Sequence, residues 1–569
     1  MKKKSVGVIL NLVIIGFIFL TVLGIIKTIF ISSDIDEAYA IAQAYRLCKG
    51  DKLLINMWEP HQFSAYLPAV FMKLFIEITG GTNYVVIFLR IIGSLIHIGL
   101  GFWLYKVSCK FVGKTESIFL FFLHLNFLTK WLQIPEFELM NYWYILINFL
   151  AFISYYRISS KKIYLIISGI CMMLQLLNYP TMILIYPFYM IGILKVSKKV
   201  RSEIFISTIS AIIPGIFFII YLFSYMNIDT LFKSLSYVMS DPSHMERLLS
   251  ERMLDFGISA LKDIGLMAGF LVVIFFILFM IMKKDIKKIL LISFSIDVII
   301  YCIIQIYGCL FMDENQFFMQ SRYLLIAVFS IFIYVAFKPK EKEIFWFGII
   351  PGFVSMFAAL LLTNMTMNVA YSKLYICVIS CFLLLFMLIK NKIFKINSYI
   401  MCIFLLINLF ICKLILIRVT GCLPVTINAN FEKIQIGPLK GIYMVERTAN
   451  TINDNCSFIS EYVSERDNLF YFGCENLIYL CTEANVSVAS VQGTSVFNQS
   501  FLDYFKENPY KYPTVVAVDK NFNTDYYMVY NPYNYIIDEW IEKEFEYSNK
   551  IETDNMILYI LSSHLQFFI

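Results

Sequence analysis

The feature that most restricts what this chain can fold into is a repeated run of long apolar stretches. Thirteen of them recur at about 6–30, 84–107, 117–133, 141–156, 163–177, 181–194, 204–226, 265–282, 289–307, 322–337, 344–362, 374–389 and 398–417. A helix needs roughly 20 apolar residues to cross a bilayer, and most of these stretches approach or exceed that length. Those at 163–177 and 181–194 are shorter and are expected to tilt or to re-enter. Soluble domains carry about 25% charged residues, whereas this chain carries 15%, with 59% hydrophobic residues. The expectation is a polytopic α-helical membrane protein with about thirteen transmembrane helices.

The basic residues order these helices. Met1-Lys2-Lys3-Lys4 resembles the start of a signal peptide, but the apolar run continues to Phe30 with no small-residue cleavage motif, so it reads as a first membrane helix. With the N-terminus inside, Lys and Arg gather at 2–4, 106–114, 157–162, 195–201, 283–288, 338–342 and 390–395. This is the distribution the positive-inside rule requires. The opposite loops hold Asp34, Asp36, Glu37, Glu59, Glu136 and Glu138. A net charge of +6 spread over such short clusters does not suggest nucleic-acid binding. The usage, rich in Lys, Ile and Asn, suggests a bacterial plasma membrane.

Beyond about Val419 the composition turns polar. Residues 446–463, 499–507 and 537–546 read as helices, and 469–472, 514–518 and 556–561 as short buried strands. The expectation is a membrane domain over 1–419 and an extracytoplasmic α/β domain over 420–569. Cys422, Cys456, Cys474 and Cys481 fall in or beside that domain. A disulfide is compatible with an outer location, with Cys474–Cys481 one option; the connectivity stays open. Cys171, Cys302, Cys377, Cys381, Cys402 and Cys412 lie in apolar spans and read as small buried hydrophobes.

The first outer loop, 31–83, concentrates the polar chemistry. Asp34, Asp36 and Glu37 stand where the chain leaves the bilayer. Ser33, with an acid three residues on, reads as the start of a helix lying on the membrane interface over 36–47. Pro60 interrupts, and 66–78 has the apolar period of a second surface helix. A helix dipole keeps Asp36, in the first turn, ionised. An ionised carboxylate there can take the proton of an attacking hydroxyl. The competing reading is that the three acids only cap and solvate a helix.

The unit of membrane span, Asp36-Glu37 at a helix start, Tyr39, a Pro-centred turn at Glu59-Pro60-His61-Gln62 and a surface helix resembles the first outer loop of GT-C glycosyltransferases. That superfamily includes the protein O-mannosyltransferases and the lipid A aminoarabinose transferase. One proline stands here where the family often has two. Two further stretches carry the resemblance: Pro135-Glu136-Phe137-Glu138, in the short loop where the family places an acid facing the first, and Gln320-Ser321-Arg322-Tyr323, at the outer start of the tenth span.

The resemblance implies inverting sugar transfer from a polyprenyl-phosphate sugar to a glycolipid, wall-polymer or protein acceptor on the outer face. It implies Asp36 as the base, with Glu37 and Glu138 positioning the acceptor. Asp36 and Glu138 are also the candidate ligands of a divalent cation such as Mg²⁺, Mn²⁺ or Ca²⁺, although several family members work without metal. Tyr39, His61, Gln62, Glu136 and Tyr323 become candidate substrate-binding residues, and Arg322 with Lys52 or Arg46 candidate phosphate partners. A transporter or flippase of lipid-linked saccharides is the rival. It predicts internal repeats and ionisable groups in mid-span, whereas the acids here cluster on one face.

Overall fold

The computed structural model describes residues 2–59, 61–127, 134–239, 248–282, 285–311, 321–362, 370–388, 392–418, 424–426, 430–473, 475–491, 498–520, 534–545 and 548–561. Pro60, Gln320, Cys422 and Cys474 fall outside them.

Helices dominate up to Ile415. In order they are α1 (Lys2–Phe30), α2 (Ile35–Cys48), α3 (Tyr66–Thr79), α4 (Val85–Ser108), α5 (Lys114–Asn126), α6 (Phe137–Ile153), α7 (Ile163–Asn178), α8 (Ile185–Val196), α9 (Val200–Phe223), α10 (Ile228–Met239), α11 (Leu249–Met282), α12 (Ile286–Phe311), α13 (Ser321–Phe337), α14 (Ile350–Leu362), α15 (Tyr375–Met387) and α16 (Lys392–Ile415). Among the described residues eight helices are long and apolar enough to cross a membrane. Four shorter apolar helices, Ile163–Asn178, Pro180–Val196, Arg322–Phe337 and Tyr371–Met387, accompany them. The chain is an integral membrane protein. α5, with 13 residues, extends only about 20 Å at about 1.5 Å per residue, short of a hydrocarbon layer about 30 Å thick.

The helices sort by burial. The span that contains α6 is 89% buried, while those of α9 and α11 are 17% and 6% buried. α6 can occupy the centre because its polar residues find partners. Gln175 Nε2 donates to Asn141 Oδ1 at 2.9 Å, and Ser168 Oγ donates to Asn148 Oδ1 at 2.9 Å. Gly169 lets α7 touch α9, since a Cβ there would stand 2.3 Å from the Ser207 carbonyl oxygen. α11 carries apolar residues on nearly every face and presents them outward, as lipid contact requires.

The two loop helices differ from each other. α3 leaves Val70, Leu74 and Ile78 exposed along one face, as expected of a surface helix. α2 does not lie on the interface. It is buried from Glu37 to Arg46, on every face. Four alanines, Ala38, Ala40, Ala42 and Ala44, keep it slim enough to be enclosed, and Tyr45 reaches across to donate to the Ala484 carbonyl at 3.0 Å. Its cap is Asp34 rather than Ser33: the Asp34 carboxylate accepts from the Asp36 N–H at 3.0 Å.

Beyond α16 two small antiparallel pairs form, β1 (Leu416–Arg418) with β2 (Pro424–Thr426) and β3 (Phe431–Lys433) with β4 (Tyr443–Val445). A five-stranded sheet then follows from β5 (Asn468–Phe472), β6 (Asn485–Val486), β7 (Val515–Asp519), β8 (Asn549–Glu552) and β9 (Met556–Ile560), ordered β6-β5-β7-β9-β8. β5 is parallel to β6 and β7; β9 is antiparallel to β7 and β8. Helices Glu446–Tyr462, Asn498–Glu507 and Asn534–Glu544 accompany the sheet. The three expected strands are β5, β7 and β9. The disulfide joins Cys456 to Cys481, which corrects the Cys474–Cys481 option: Cys456 lies on the inner face of its helix, where Cys481 meets it.

One apolar core runs through α2, α3, α4 and this sheet, with Tyr39, Trp58, Met72, Leu89, Leu469 and Val516 among its members. The first outer loop is therefore built against the C-terminal region, and main-chain bonds stitch the two. Ser32 N–H donates to the Tyr443 carbonyl at 2.8 Å, and Trp58 N–H to that of Ala489 at 2.9 Å.

Candidate active site

The three loop acids meet three different fates. Asp34 is buried and spent on the α2 cap. Glu37 is buried against Arg90 of α4: Arg90 Nε donates to Glu37 Oε1 at 2.7 Å and Nη2 to Oε2 at 2.6 Å. Arg90 also holds the carbonyls of Ile29 and Ser32, at 3.0 and 2.6 Å, and so pins the end of α1 to the start of α2. Asp36, between the two, is half-buried in the first turn of α2.

The rest of the loop is held by a second buried arginine. Arg46 Nε meets Asp51 Oδ2 at 2.8 Å and Nη1 meets Glu59 Oε1 at 3.2 Å. The other Glu59 oxygen accepts from Ser490 Oγ at 3.1 Å and from the Val491 N–H at 3.0 Å. Burial lifts the Glu59 carboxyl above its ordinary pKa, against the pull of Arg46 and these donors. Asp51 also pairs with Lys511. Arg46, offered by the sequence as a phosphate partner, is thus a tie between the loop and the C-terminal region. Gln62 is a tie as well: its Oε1 accepts from Leu54 N–H at 2.8 Å and its Nε2 donates to the Glu59 carbonyl at 2.9 Å. Lys52 is exposed, with its ammonium 5.3 Å from the centre of the Tyr225 ring. Tyr39 is buried in the shared core.

His61, in a left-handed conformation with φ 58°, brings the first outer loop to the start of α6. Its ring stacks on Phe137, with centroids 4.0 Å apart, and lies 5.1 Å from Tyr179. Glu136 is the α6 cap, accepting from Glu138 and Leu139 N–H groups at 2.8 and 2.6 Å. Glu138, one step into the helix, is buried in an ion pair with Lys373. The Lys373 ammonium also lies 4.9 Å from the centre of the Tyr179 ring. From Lys373 the cluster continues through Tyr375, whose hydroxyl donates to the Tyr142 carbonyl, to Phe127 and Tyr323. Arg322 is buried at that end, donating to the Tyr323 hydroxyl at 2.8 Å. The fold thus brings His61, Glu136, Glu138, Arg322 and Tyr323 into one aromatic-lined polar seam. One turn along α6 from Glu138, the Gln175 that bonds Asn141 also lines a cavity of about 310 Å³ between α7, α8 and α9. That volume is within the usual range of a ligand pocket.

Of the two candidate metal ligands, Asp36 and Glu138, the second is held in an ion pair. Lys373 already supplies the cation at Glu138, and among the described residues no three His, Cys, Asp or Glu side chains converge. Sequence reasoning missed Arg90 and Lys373; its phosphate partners were Arg322 at a span edge and the loop cations Lys52 and Arg46. The available signal was an ionisable residue inside or at the edge of an apolar span, which is costly and seldom idle.

No protein-family model matches the chain, and no curated protein matches it. Its structural neighbours include an oligosaccharyltransferase of Archaeoglobus fulgidus in complex with Zn and sulfate, with 10% identity, 88% of this chain and 67% of that one covered, and a TM-score of 0.46. The archaeal oligosaccharyltransferase AglB of the same organism, in complex with an inhibitory peptide and a dolichol-phosphate, has 10% identity, coverage of 96% and 74%, and a TM-score of 0.45. ArnT from Cupriavidus metallidurans bound to undecaprenyl phosphate has 10% identity, coverage of 97% and 98%, and a TM-score of 0.43. Each TM-score lies below 0.5, so the reading of this chain rests on its own residues.

Proposed function

We propose that the protein is a membrane glycosyltransferase that moves a sugar from a polyprenyl-phosphate-linked donor to a hydroxyl acceptor on the outer face, with inversion and with Asp36 as general base. The observation that carries the reading is the division of labour among the loop acids. The fold consumes Asp34 and Glu37 structurally, while Asp36 keeps partial exposure at a helix N-terminus that favours its ionised form. In the reaction Asp36 takes the acceptor proton and the acceptor oxygen bonds to the anomeric carbon. The bond from that carbon to the phosphate oxygen breaks, and its electron pair leaves with the phosphate.

The seam of His61, Phe137, Tyr179 and Tyr323 offers aromatic and polar contacts of the kind sugars use, with Arg322 as a phosphate partner. The apolar cavity between α7, α8 and α9 suits a lipid chain. The Cys456–Cys481 disulfide suits an oxidising compartment and so supports an extracytoplasmic C-terminal domain over 420–569, with the membrane domain over 1–419 and a cytoplasmic N-terminus. A bacterial plasma membrane remains the proposed setting.

The test is transfer of radiolabelled sugar from a panel of polyprenyl-phosphate sugars in membranes that contain the wild type or Asp36→Asn. Loss of a general base costs about 10²–10⁴-fold, so the variant should fall by at least about 100-fold at equal protein level. Inert donors throughout, or an Asp36→Asn variant as active as wild type, would overturn the reading.

A further inference from the structure

Near the middle of α12 a carboxylate is enclosed without a partner in the protein. Asp297 is 0% exposed, and among the described residues neither of its oxygens accepts a hydrogen bond and no basic side chain acts on it. Tyr301 and Gln305 follow at intervals of four residues, each about 6 Å further along the helix, so the three lie on one side of α12. Both are buried, and the Tyr301 hydroxyl and Gln305 Oε1 also have no hydrogen-bond partner. On α16, which packs on α12, Asn408 donates from Nδ2 to the Cys302 carbonyl at 3.2 Å, while its Oδ1 receives no donor. Every unpartnered buried side-chain atom on the described parts of α12 and α16 is an oxygen.

The surroundings are negative as well as rich in oxygen. The Tyr301 hydroxyl lies within the fields of two carboxylates, Asp297 and Asp263 of α11. Asp263 accepts from the Tyr371 hydroxyl at 2.5 Å, whereas Asp297 has no such donor. The nearby guanidinium, Arg322 of α13, acts on Cys302 and Tyr323 and not on Asp297. An ionised carboxylate among apolar helices is costly and seldom idle. A buried acceptor without a donor adds its own desolvation cost. A group that offsets both costs carries positive charge and is shared by several oxygens.

We propose that Asp297 and Tyr301 form a binding site for a monovalent metal cation, with Gln305 as the next oxygen along the helix. One positive charge neutralises Asp297, and the protein oxygens stand in for the water around the ion. A divalent ion would leave net positive charge in the bundle and calls for more carboxylates, and among the described residues no three His, Cys, Asp or Glu side chains converge. An organic ammonium needs an opening that a fully enclosed carboxylate does not offer. The site goes beyond sugar transfer and does not depend on it, since neither Asp297 nor Tyr301 belongs to the candidate active site. The competing account gives Asp297 a proton of its own. A proton neutralises the charge but bonds one acceptor, where a cation is shared by both Asp297 oxygens and the Tyr301 hydroxyl.

The experiment is equilibrium binding of radioactive sodium and rubidium ions to the full-length protein in detergent, against a background of choline chloride. Wild type should bind one of the two ions saturably, one per chain, and Asp297→Asn should bind neither. Tyr301→Phe should weaken the binding by about tenfold or more. The bound ion should also raise the melting temperature of wild type above its value in choline chloride at equal ionic strength, and should leave that of Asp297→Asn unmoved. No saturable binding by wild type, or unchanged binding by a folded Asp297→Asn, overturns the site and leaves a protonated carboxyl. Displacement of the ion by magnesium at equal concentration overturns the monovalent assignment. If Asp297→Asn does not fold, Tyr301→Phe decides, and wild-type affinity in that variant overturns the site.

Discussion

Arg90 in α4 holds both carboxylate oxygens of Glu37 in α2, at 2.7 and 2.6 Å, with both side chains buried. The neighbouring Asp36 is therefore presented by a helix that α4 cannot release. Breaking a buried ion pair from one side leaves an uncompensated charge and costs about 3–5 kcal/mol. Glu37→Gln and Arg90→Leu should each lower the melting temperature in detergent by several degrees. Arg90→Lys should rescue little, since an ammonium cannot reproduce the two-pronged contact. Asp36→Asn should leave the melting temperature near wild type. Should Glu37→Gln melt normally while Asp36→Asn unfolds, the division of roles is reversed.

Lys373 and Glu138 form the other buried pair at the seam. Lys373→Met leaves Glu138 without its cation, and Glu138→Gln leaves Lys373 without its anion. Each single change should destabilise by about 3 kcal/mol, and Lys373→Met/Glu138→Gln should recover part of that loss. A thermal-melt double-mutant cycle reads the coupling. Additive losses would mean that the two side chains do not depend on each other.

Burial, with a contribution from Asp519, lifts the Glu475 carboxyl from its ordinary 4.5 to about 7. A carboxyl whose folded pKa is raised favours the fold while it is protonated. Its contribution is complete below pH 4.5 and is lost as pH rises through about 7. The shift corresponds to about 3 kcal/mol at most. Glu475→Gln should flatten the fall in stability between pH 4.5 and 7.5 and make the protein more stable than wild type at pH 8. Chemical denaturation across that range measures it, and parallel curves for the two proteins would refute the assignment.

Cys456 and Cys481 close a loop of 25 residues between two helices of the C-terminal region. Closure of such a loop contributes about 3 kcal/mol. Cys456→Ser, or reduction of the wild type, should lower the melting temperature of that region. Without reductant, neither cysteine should react with maleimide in unfolded protein. Labelling at both positions before reduction would show the bridge to be absent.

The apolar stretches, the acidic loop and the order of helices and strands after Val419 were legible in the sequence, because each depends on residues close together in the chain. Hydrophobic length defines a membrane helix wherever it sits, and alternation or short apolar runs define strands such as Asn468–Phe472 and Met556–Ile560. The partners were not legible. Asp34, Asp36 and Glu37 look alike in sequence, and Arg90, 53 positions from Glu37, marks Glu37 off from the other two. Lys373 reaches Glu138 across 235 positions and Arg46 reaches the Ala489 carbonyl across 443. α2 looked like a surface helix because its own pattern is polar enough to be one; the sheet that covers it lies more than 400 positions away. The sequence by itself determined a membrane bundle with an acidic outer loop and a polar C-terminal region. Which partner each acid of that loop takes was decided by tertiary structure, since burial selects partners by distance in space and the chain records only distance along itself.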